Sequence, residues 1–240
     1  MNHVPLGIGD RDVPVPSHIC LFYNDDEELR ARFGFLTIGL DDPEQVCVLF
    51  GTHKRLAQIV AYLIEDTGRD IEAAIASKRL VLIEGAGTGD ATLAHVGNTL
   101  DDIARNGAKL IRFLGFIAWD DPAWPDEADL LAFEAKVNLA VTKFPAVILC
   151  SYALSALRGP VLIHGGIETH PVTVLGTRIH DNPQYLPPEE YLVRLQEGWK
   201  TGSRPRAVPL SSISEEQLDE IVTSALRRPN SEKTELPNSR

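Results

Sequence analysis

Five short apolar runs, separated by longer segments of helical periodicity, constrain the fold of this chain more than any other feature. The runs are HICLFY, QVCVLF, RLVLIE, KLIRFLGF and PAVILC. Each is nearly continuous in apolar residues, which is typical of strands buried on both faces. The helical segments between them predict parallel strands joined by right-handed crossovers. The sequence therefore predicts an α/β domain of three layers, with helices flanking a mainly parallel central sheet.

Capping residues and periodicity predict where the helices lie. The first begins at Asn24 or Asp25 and runs towards Gly39, and further helices are predicted at about 54–66, 91–106, 126–143 and 188–199. The acidic cluster 25–28 falls in the first turn of the first helix, where carboxylates interact favourably with the helix dipole. A metal is therefore not needed to explain this cluster.

The chain divides into three segments by composition. Residues 1–17 are rich in Gly, Pro and Asp and predict a flexible lead-in. Residues 18–200 contain all the predicted strands and form the folded domain. Residues 201–240 are predicted to be a polar tail with one amphipathic helix at about 214–227, which begins with a capping box.

The acidic balance of the chain restricts its partners. Its 240 residues carry a formal net charge of -11, which repels a nucleic acid backbone. No signal peptide pattern and no apolar run long enough to cross a bilayer is present. We therefore expect a cytoplasmic protein that binds neither nucleic acid nor membrane directly. Its three cysteines, Cys20, Cys47 and Cys150, lie far apart in apolar runs and are typical of reduced core thiols.

Two loops lie where nucleotide-binding proteins hold phosphates, but neither is complete. GAGTGD at 85–90 lacks the full glycine pattern, and the next strand lacks the acid that would bind a ribose. GTHKRL at 51–56 lacks the first glycine and the Lys-Ser/Thr pair of a P-loop. We expect no cofactor, and we retain Gly51, Thr52 and Lys54 as a candidate anion-binding set at a helix start.

Histidines and thiols raise the questions of metal binding and of catalysis. His18 and Cys20 are two residues apart and share a strand face, but the chain has no CxxC or HxxxH pair, so we expect no metal. Cys150 would need a base such as His18 or His170 to act as a nucleophile, and its flanks match no nucleophile motif. We assign no catalytic residue, and a thiol-dependent enzyme stays an alternative.

Several residues are candidates for a binding pocket. Cys150 is predicted to end a strand, and ligands collect outside the carboxyl ends of parallel strands. Trp119 lies in the aromatic tract FLGFIAWDDPAW, a composition that ligand pockets share. Glu134 is predicted on the inner face of a helix, where a carboxylate needs a partner such as Arg112 or His18.

A set of short stretches, in chain order, resembles a known family. They are His18-Ile-Cys-Leu-Phe-Tyr23 with Glu28, Gly39-Leu40, Arg112 before Gly115 and Trp119, Phe133-Glu134 with Asn138, Pro145 before Cys150-Ser-Tyr152, His170-Pro171, and Asn182-Pro-Gln-Tyr185 with two following prolines. Together they resemble the MEDS domain, a sensory domain of methanogens and methylotrophs that occurs in a dichloromethane-responsive transcription regulator. The resemblance covers about residues 18–199.

The resemblance implies a RecA- or KaiC-like fold without a working ATPase site, and the sensing of small hydrocarbon derivatives. The characteristic His and Cys positions of the family correspond here to His18, Cys150 and His170. The chain departs from the family at Phe116, where an acid is expected, so this corner is more apolar. The family pattern also predicts that the His18 ring faces Cys150 or His170 across a pocket.

These observations lead to one leading hypothesis and two alternatives. We expect a non-catalytic sensory domain with a degenerate P-loop, whose apolar pocket at the carboxyl ends of the strands binds a small organic ligand. The pocket is predicted to be formed by His18, Trp119, Cys150, Tyr152 and His170, with a polar wall of Arg112 and Glu134. The signal would pass to a signalling or transcription-regulator protein, and homo-oligomerisation is left open. The alternatives are a degenerate nucleotide-binding interaction module and a thiol-dependent enzyme.

Overall fold

A computed structural model describes residues 2–9, 11–85, 87–119 and 124–200. The strands are β1 (His3–Pro5), β2 (Asp12–Pro14), β3 (Ser17–Tyr23), β4 (Gln45–Gly51), β5 (Leu80–Glu84), β6 (Leu110–Phe116), β7 (Ala146–Ala153), β8 (Val172–Leu175) and β9 (Arg178–Asp181). The α-helices are α1 (Asp26–Arg30), α2 (Gly34–Asp41), α3 (His53–Thr67), α4 (Ile71–Ala76), α5 (Gly89–Arg105), α6 (Glu127–Val141) and α7 (Pro188–Lys200). A π-helix spans Val161–Ile167.

A seven-stranded sheet in the order β5-β4-β6-β7-β3-β8-β9 forms the centre of the molecule. Every neighbouring pair from β5 to β8 is parallel, and β9 adds an antiparallel edge to β8. The predicted α/β fold with a mainly parallel sheet and flanking helices is confirmed. The relationship to RecA or KaiC stays a prediction.

Helices cover both faces of this sheet. One face, here called the α5/α6 face, packs against α5, α6, the π-helix and α7. The opposite face, the α2/α3 face, packs against α1 to α4 and the small β1-β2 hairpin. Because side chains alternate along a strand, each strand supplies one set of residues to each face. This alternation decides which predicted site residues can meet.

The start of the chain differs from the expected flexible lead-in. Within residues 1–17, β1 and β2 pair as an antiparallel hairpin, and Leu6, Ile8 and Val13 are buried in the α2/α3 core. These apolar residues are separated by turns, so they show no strand or helix periodicity in the sequence. Their burial, rather than any local pattern, holds the segment in place.

The first predicted helix is in fact two helices. Asp25 caps α1 as expected, with its side chain accepting from the Glu28 amide, but α1 ends at Arg30 and α2 begins at Gly34. The backbone of Gly7 in the hairpin loop lies against Gly34, where a Cβ would collide with the Gly7 carbonyl oxygen. The hairpin therefore requires glycine at this point.

The other four predicted helices match α3, α5, α6 and α7 to within two residues at each end. Short elements without a long periodic pattern were not predicted from the sequence, namely α4, β8, β9 and the π-helix. The predicted tail helix at 214–227 lies outside the described residues. No helix in the described part of the chain is both long enough and apolar enough to cross a bilayer.

Candidate functional site

Four side chains from four separate parts of the fold meet on the α5/α6 face. They are His18 of β3, Glu134 of α6, Cys150 of β7 and His170 of the loop before β8, here called the tetrad. All four are buried, at most 3% exposed. Each offers one nitrogen, oxygen or sulfur atom, and these atoms all lie within 4.8 Å of one another.

Strand pairing places His18 and Cys150 together. In the parallel β3-β7 pair, His18 is opposite Ile148 and Cys20 is opposite Cys150, so all of these side chains lie on one face. His18 Nε2 is 3.3 Å from Cys150 Sγ. The rings of His18 and His170 are tilted against each other with centroids 4.0 Å apart. His18 thus faces both Cys150 and His170.

Glu134 brings a carboxylate into this apolar layer. The hydroxyl of Tyr152 lies 2.9 Å from its Oε1 atom. Its Oε2 atom lies 3.3 Å from His18 Nε2 and 3.6 Å from His170 Nε2. These distances are those of ion pairs, but neither contact is aligned as a hydrogen bond, and Oε2 has no hydrogen-bond partner among the described residues. The carboxylate is therefore only half satisfied.

The π-helix orients His170 and Tyr152 through its backbone carbonyls. His170 Nδ1 lies 2.8 Å from the carbonyl oxygen of Gly166, an acceptor, so this nitrogen carries the ring proton. The Nε2 lone pair of His170 consequently points into the tetrad. The Tyr152 hydroxyl lies 2.7 Å from the carbonyl oxygen of Gly165.

Burial determines the charge of the thiol and of one imidazole. Burial raises the pKa of the Cys150 thiol well above its usual value, and the nearby Glu134 carboxylate adds to this effect. Burial also lowers the pKa of His170 well below its usual value, with a further contribution from His18. At neutral pH Cys150 is therefore a thiol and His170 is a neutral imidazole, which keeps both groups uncharged.

An apolar cavity of about 20 Å³ lies beside the tetrad, between α5, α6 and the sheet. Phe113, Ile148 and Cys150 line it on the sheet, and Gly97 of α5 and Ala140 of α6 line it on the helices. Apart from the Cys150 sulfur, its lining consists of apolar residues. Cys150 is the residue that belongs to both the cavity and the tetrad.

Comparison with known protein families identifies the domain. The family model described as MEthanogen/methylotroph, DcmR Sensory domain (MEDS) matches residues 17–171. The chain belongs to the MEDS family. No curated protein matches the chain. The family is described as sensory, which indicates a sensory role, and the matched segment of this MEDS domain contains all four tetrad residues.

The site lies in a different part of the MEDS domain from the one expected. Cys150 does not end its strand, since β7 continues to Ala153, and His18 is near the start of β3. The tetrad therefore lies on the face of the sheet beneath α6, rather than outside the carboxyl ends of the strands. Cys150 was expected at the strand end because the continuous apolar run ends there. The strand β7 continues beyond this run, since the polar Ser151 is also buried in the sheet.

Arg112 lies on the α2/α3 face of the sheet, so it does not line a pocket together with Glu134 as predicted. Its Nε donates to Gln45 Oε1 at 2.7 Å, and its Nη2 donates to the Pro5 carbonyl oxygen at 2.9 Å. Arg112 is adjacent in sequence to Phe113, which faces the cavity, so strand alternation directs Arg112 to the α2/α3 face. Of the two partners considered for Glu134, the structure places His18 beside it.

The remaining predicted residues are divided between two places. Trp119 packs on the tetrad side, with its ring centroid 6.0 Å from that of Tyr152. The candidate anion set is elsewhere: Gly51 ends β4, the Thr52 hydroxyl accepts from the Arg55 amide and caps α3, and Lys54 is exposed. The sequence did not predict a role for the π-helix glycines or for Gly97. The unusual pair Gly165-Gly166 is a possible signal for the π-helix, and the sequence contains no signal for Gly97.

Proposed function

We propose that this MEDS domain is a non-catalytic sensor that binds a small, largely apolar organic molecule in the cavity beside Cys150. Occupancy is relayed to a signalling or transcription-regulator protein. The main support for this proposal is that Cys150 lines the apolar cavity and also belongs to the buried polar tetrad. Such a site combines apolar burial with a few polar groups that orient the ligand.

The lining of the cavity determines the chemistry of the ligand. At about 20 Å³ the cavity is close to the size of one water molecule, so an organic ligand binds only if the cavity widens. Its apolar lining favours an apolar ligand, because binding buries apolar surface. The Cys150 sulfur supports a ligand with a polarisable or weakly polar group at one end, since sulfur is itself polarisable and a weak acceptor. Halogenated one-carbon compounds, short alcohols and short aldehydes have this character.

The position of α6 supports a route for the signal. This helix supplies Val137 and Ala140 to the cavity and Glu134 to the tetrad, and it packs against α7. The Tyr191 hydroxyl of α7 also donates to the His164 carbonyl oxygen of the π-helix at 3.0 Å. A ligand that binds one arrangement of α6 more tightly than another would shift α7 with it. Residues 201–240 follow directly after α7.

Burial of the thiol supports the absence of catalysis. A nucleophilic cysteine is normally a thiolate with a lowered pKa in a partly exposed, electropositive place. Cys150 has the opposite surroundings, because burial and Glu134 both raise its pKa. These surroundings favour binding over covalent chemistry.

The alternative of a degenerate nucleotide-binding module has less support. The Thr52 hydroxyl is already used as the cap of α3. Glu84 lies at the neighbouring strand end, with its Oε1 atom 2.8 Å from His53 Nδ1. A nucleotide phosphate bound there would face the charge of this carboxylate, which is unfavourable.

A thermal-shift screen of the full chain tests the proposal. The compounds are dichloromethane, short alcohols, short aldehydes and, for the alternative, adenine and guanine nucleotides. A ligand at about ten times its Kd stabilises the fold by about 1.4 kcal/mol. For a chain of this size, this raises the Tm by roughly 3–6 °C.

Two variants of α5 locate the binding site. Gly97→Leu places a side chain in the cavity, because Gly97 lines it. Apart from the chain neighbours of Gly97 and the backbone of α5, no described atom lies within 4 Å of a Cβ built there. Ala94→Leu adds the same side chain on the exposed surface of α5. We expect Gly97→Leu to lose the thermal shift and Ala94→Leu to keep it. A shift that survives in Gly97→Leu, or no shift with any organic compound, would overturn the proposal.

A further inference from the structure

We propose that the tetrad of His18, Glu134, Cys150 and His170 binds one transition metal ion, and that Zn²⁺ is the ion it fits best. This inference goes beyond the proposed function, because it concerns a metal site next to the cavity rather than the organic ligand. It rests on the arrangement of donor atoms, on unsatisfied buried atoms and on charge balance, each of which is independent of the family match.

The spacing of the donor atoms fits tetrahedral coordination. Zinc binds imidazole nitrogen, carboxylate oxygen and thiolate sulfur at about 2.0–2.3 Å, so the corners of such a tetrahedron lie about 3.3–3.8 Å apart. His18 Nε2 lies 3.3 Å from Cys150 Sγ and 3.3 Å from Glu134 Oε2. His170 Nε2 lies 3.6 Å from Glu134 Oε2. Three of the six separations are thus in the tetrahedral range, and all four donor atoms lie within 4.8 Å of one another.

Two of the donor atoms are buried and have no other partner. Glu134 Oε2 and His170 Nε2 form no hydrogen bond with any residue that the structure describes. An unsatisfied polar atom in such surroundings costs about 1–3 kcal/mol, and more when it is charged. A metal ion bound to both atoms removes this cost.

The outer atoms of the same side chains are held as they are in known metal sites. A ligating histidine usually donates its other ring N–H to a carbonyl or carboxylate, and a ligating carboxylate is itself hydrogen-bonded. His170 Nδ1 donates to the Gly166 carbonyl oxygen, and the single proton of the Tyr152 hydroxyl is shared between Glu134 Oε1 and the Gly165 carbonyl oxygen. Both inner atoms are therefore fixed in direction towards the same point. The outer nitrogen of His18, Nδ1, has no hydrogen-bond partner among the described residues.

Charge balance favours a divalent ion of intermediate softness. When Zn²⁺ binds, it replaces the proton of the Cys150 thiol, and this proton is released to solvent. The bound ion, one thiolate and one carboxylate then sum to zero charge, which suits a site that excludes water. Mg²⁺ and Ca²⁺ prefer all-oxygen sites, whereas two imidazoles with a thiolate suit zinc or cobalt.

The proposed metal site departs from the expectation of no metal. That expectation depended on the absence of close-spaced ligand pairs, which most structural zinc sites have. Here the four ligands come from β3, α6, β7 and the loop before β8, so their spacing in sequence carries no signal. A bound ion would also tie these four elements together.

Metal analysis and cobalt titration of the full chain test the proposal. The metal content of the purified protein is measured first by inductively coupled plasma mass spectrometry. The chain is then unfolded with a chelator, refolded and titrated with Co²⁺. We expect about one ion per chain, the visible bands of tetrahedral Co²⁺, and thiolate-to-cobalt charge transfer in the near ultraviolet.

Two cysteine variants assign the ligands. Cys150→Ser should lose the charge-transfer band, and Cys47→Ser should keep it, because Cys47 is a buried free thiol on the opposite face of the sheet. A charge-transfer band that disappears in Cys47→Ser, or survives in Cys150→Ser, would overturn the assignment.

If a variant does not fold, measurements on the wild-type chain still test the metal site. A refolded wild-type chain with no metal as purified, no saturable cobalt spectrum and no rise in Tm with Zn²⁺ would overturn the metal site. None of these measurements uses an organic ligand. The metal site can therefore fail while the sensor proposal survives, and the reverse also holds.

Discussion

Gly165 and Gly97 lie on the same face of the sheet but have opposite surroundings. A Cβ at Gly165, in the π-helix, would lie 2.8 Å from the Trp119 ring and 3.3 Å from the Tyr152 hydroxyl oxygen. A Cβ at Gly97, in the middle of α5, would enter open space. At the residue scale, adding a methyl group should therefore have opposite effects on stability at these two glycines, because the first is closely packed and the second borders open volume.

We predict that Gly165→Ala destabilises the protein and that Gly97→Ala stabilises it. The first substitution forces Trp119 or the π-helix to move, and overpacking of this kind costs about 1–3 kcal/mol. The second replaces glycine in a helix interior, which contributes roughly 0.5–1 kcal/mol. Urea unfolding of the two variants measures both changes. Equal destabilisation by both would contradict the different packing described for these two positions.

The site residues show what a single sequence can predict and what it cannot. Helical periodicity was enough to place Glu134 on the inner face of α6, and it is buried there. The family pattern was enough to bring His18, Cys150 and His170 together. The prediction that Arg112 lies beside these residues was wrong. Arg112 is next to Phe113 on a strand, so its side chain must point to the opposite face of the sheet. The four-ligand arrangement has no local signal, because it depends on the register of β3 against β7.

At the scale of elements, Asp26 joins α1 to α3. Its carboxylate accepts hydrogen bonds from Arg55 Nη2 at 2.8 Å, Gln58 Nε2 at 2.9 Å and the Tyr62 hydroxyl at 2.9 Å. The hydrogen bond from Arg55 is the main reason that the pKa of Asp26 is lowered from its usual value of 3.8. The acidic first turn of α1 thus has a structural role.

We predict that this link makes stability depend on acid pH. A carboxyl group with a lowered folded pKa contributes stability that is fully present above 3.8 and is lost as pH falls through the folded value. Asp26→Asn should therefore destabilise the chain at pH 7 by about 1 kcal/mol, a modest amount because the group is partly exposed. It should also reduce the loss of stability at acid pH. Urea unfolding at several pH values measures both effects.

Asp101→Asn is the matched control for this prediction. Asp101 pairs with Arg105 on the exposed surface of α5, where an ion pair contributes little. Its substitution should leave the pH dependence unchanged. If Asp101→Asn and Asp26→Asn had the same effect, the link between α1 and α3 would not account for the pH dependence.

The elements that sequence patterns predicted are those with long, regular periodicity. Five continuous apolar runs became β3 to β7, and four helical segments became α3, α5, α6 and α7. The β1-β2 hairpin and the π-helix have no such pattern, because distant contacts hold them. Gly7 against Gly34 and Gly165 against Trp119 are examples of these contacts.

At the scale of the whole molecule, the two faces of the sheet have different roles. The α2/α3 face contains Arg112, the hairpin and the Asp26 link, which are structural. The α5/α6 face contains the tetrad and the cavity, joined at Cys150. Since α6 contributes to both and packs against α7, this face is the part of the molecule where binding can change the arrangement of helices.

A nuclear magnetic resonance titration of the isotope-labelled full chain with dichloromethane tests whether an organic ligand binds in the cavity beside Cys150. A ligand in the cavity should cause saturable shifts in the resonances of Gly97, Ala140 and Cys150, residues that line the cavity, with smaller shifts along α7. In the same titration of Gly97→Leu, the Ala140 and Cys150 resonances should not shift. Shifts that do not saturate, or that cluster on the α2/α3 face, would contradict a ligand site beside Cys150.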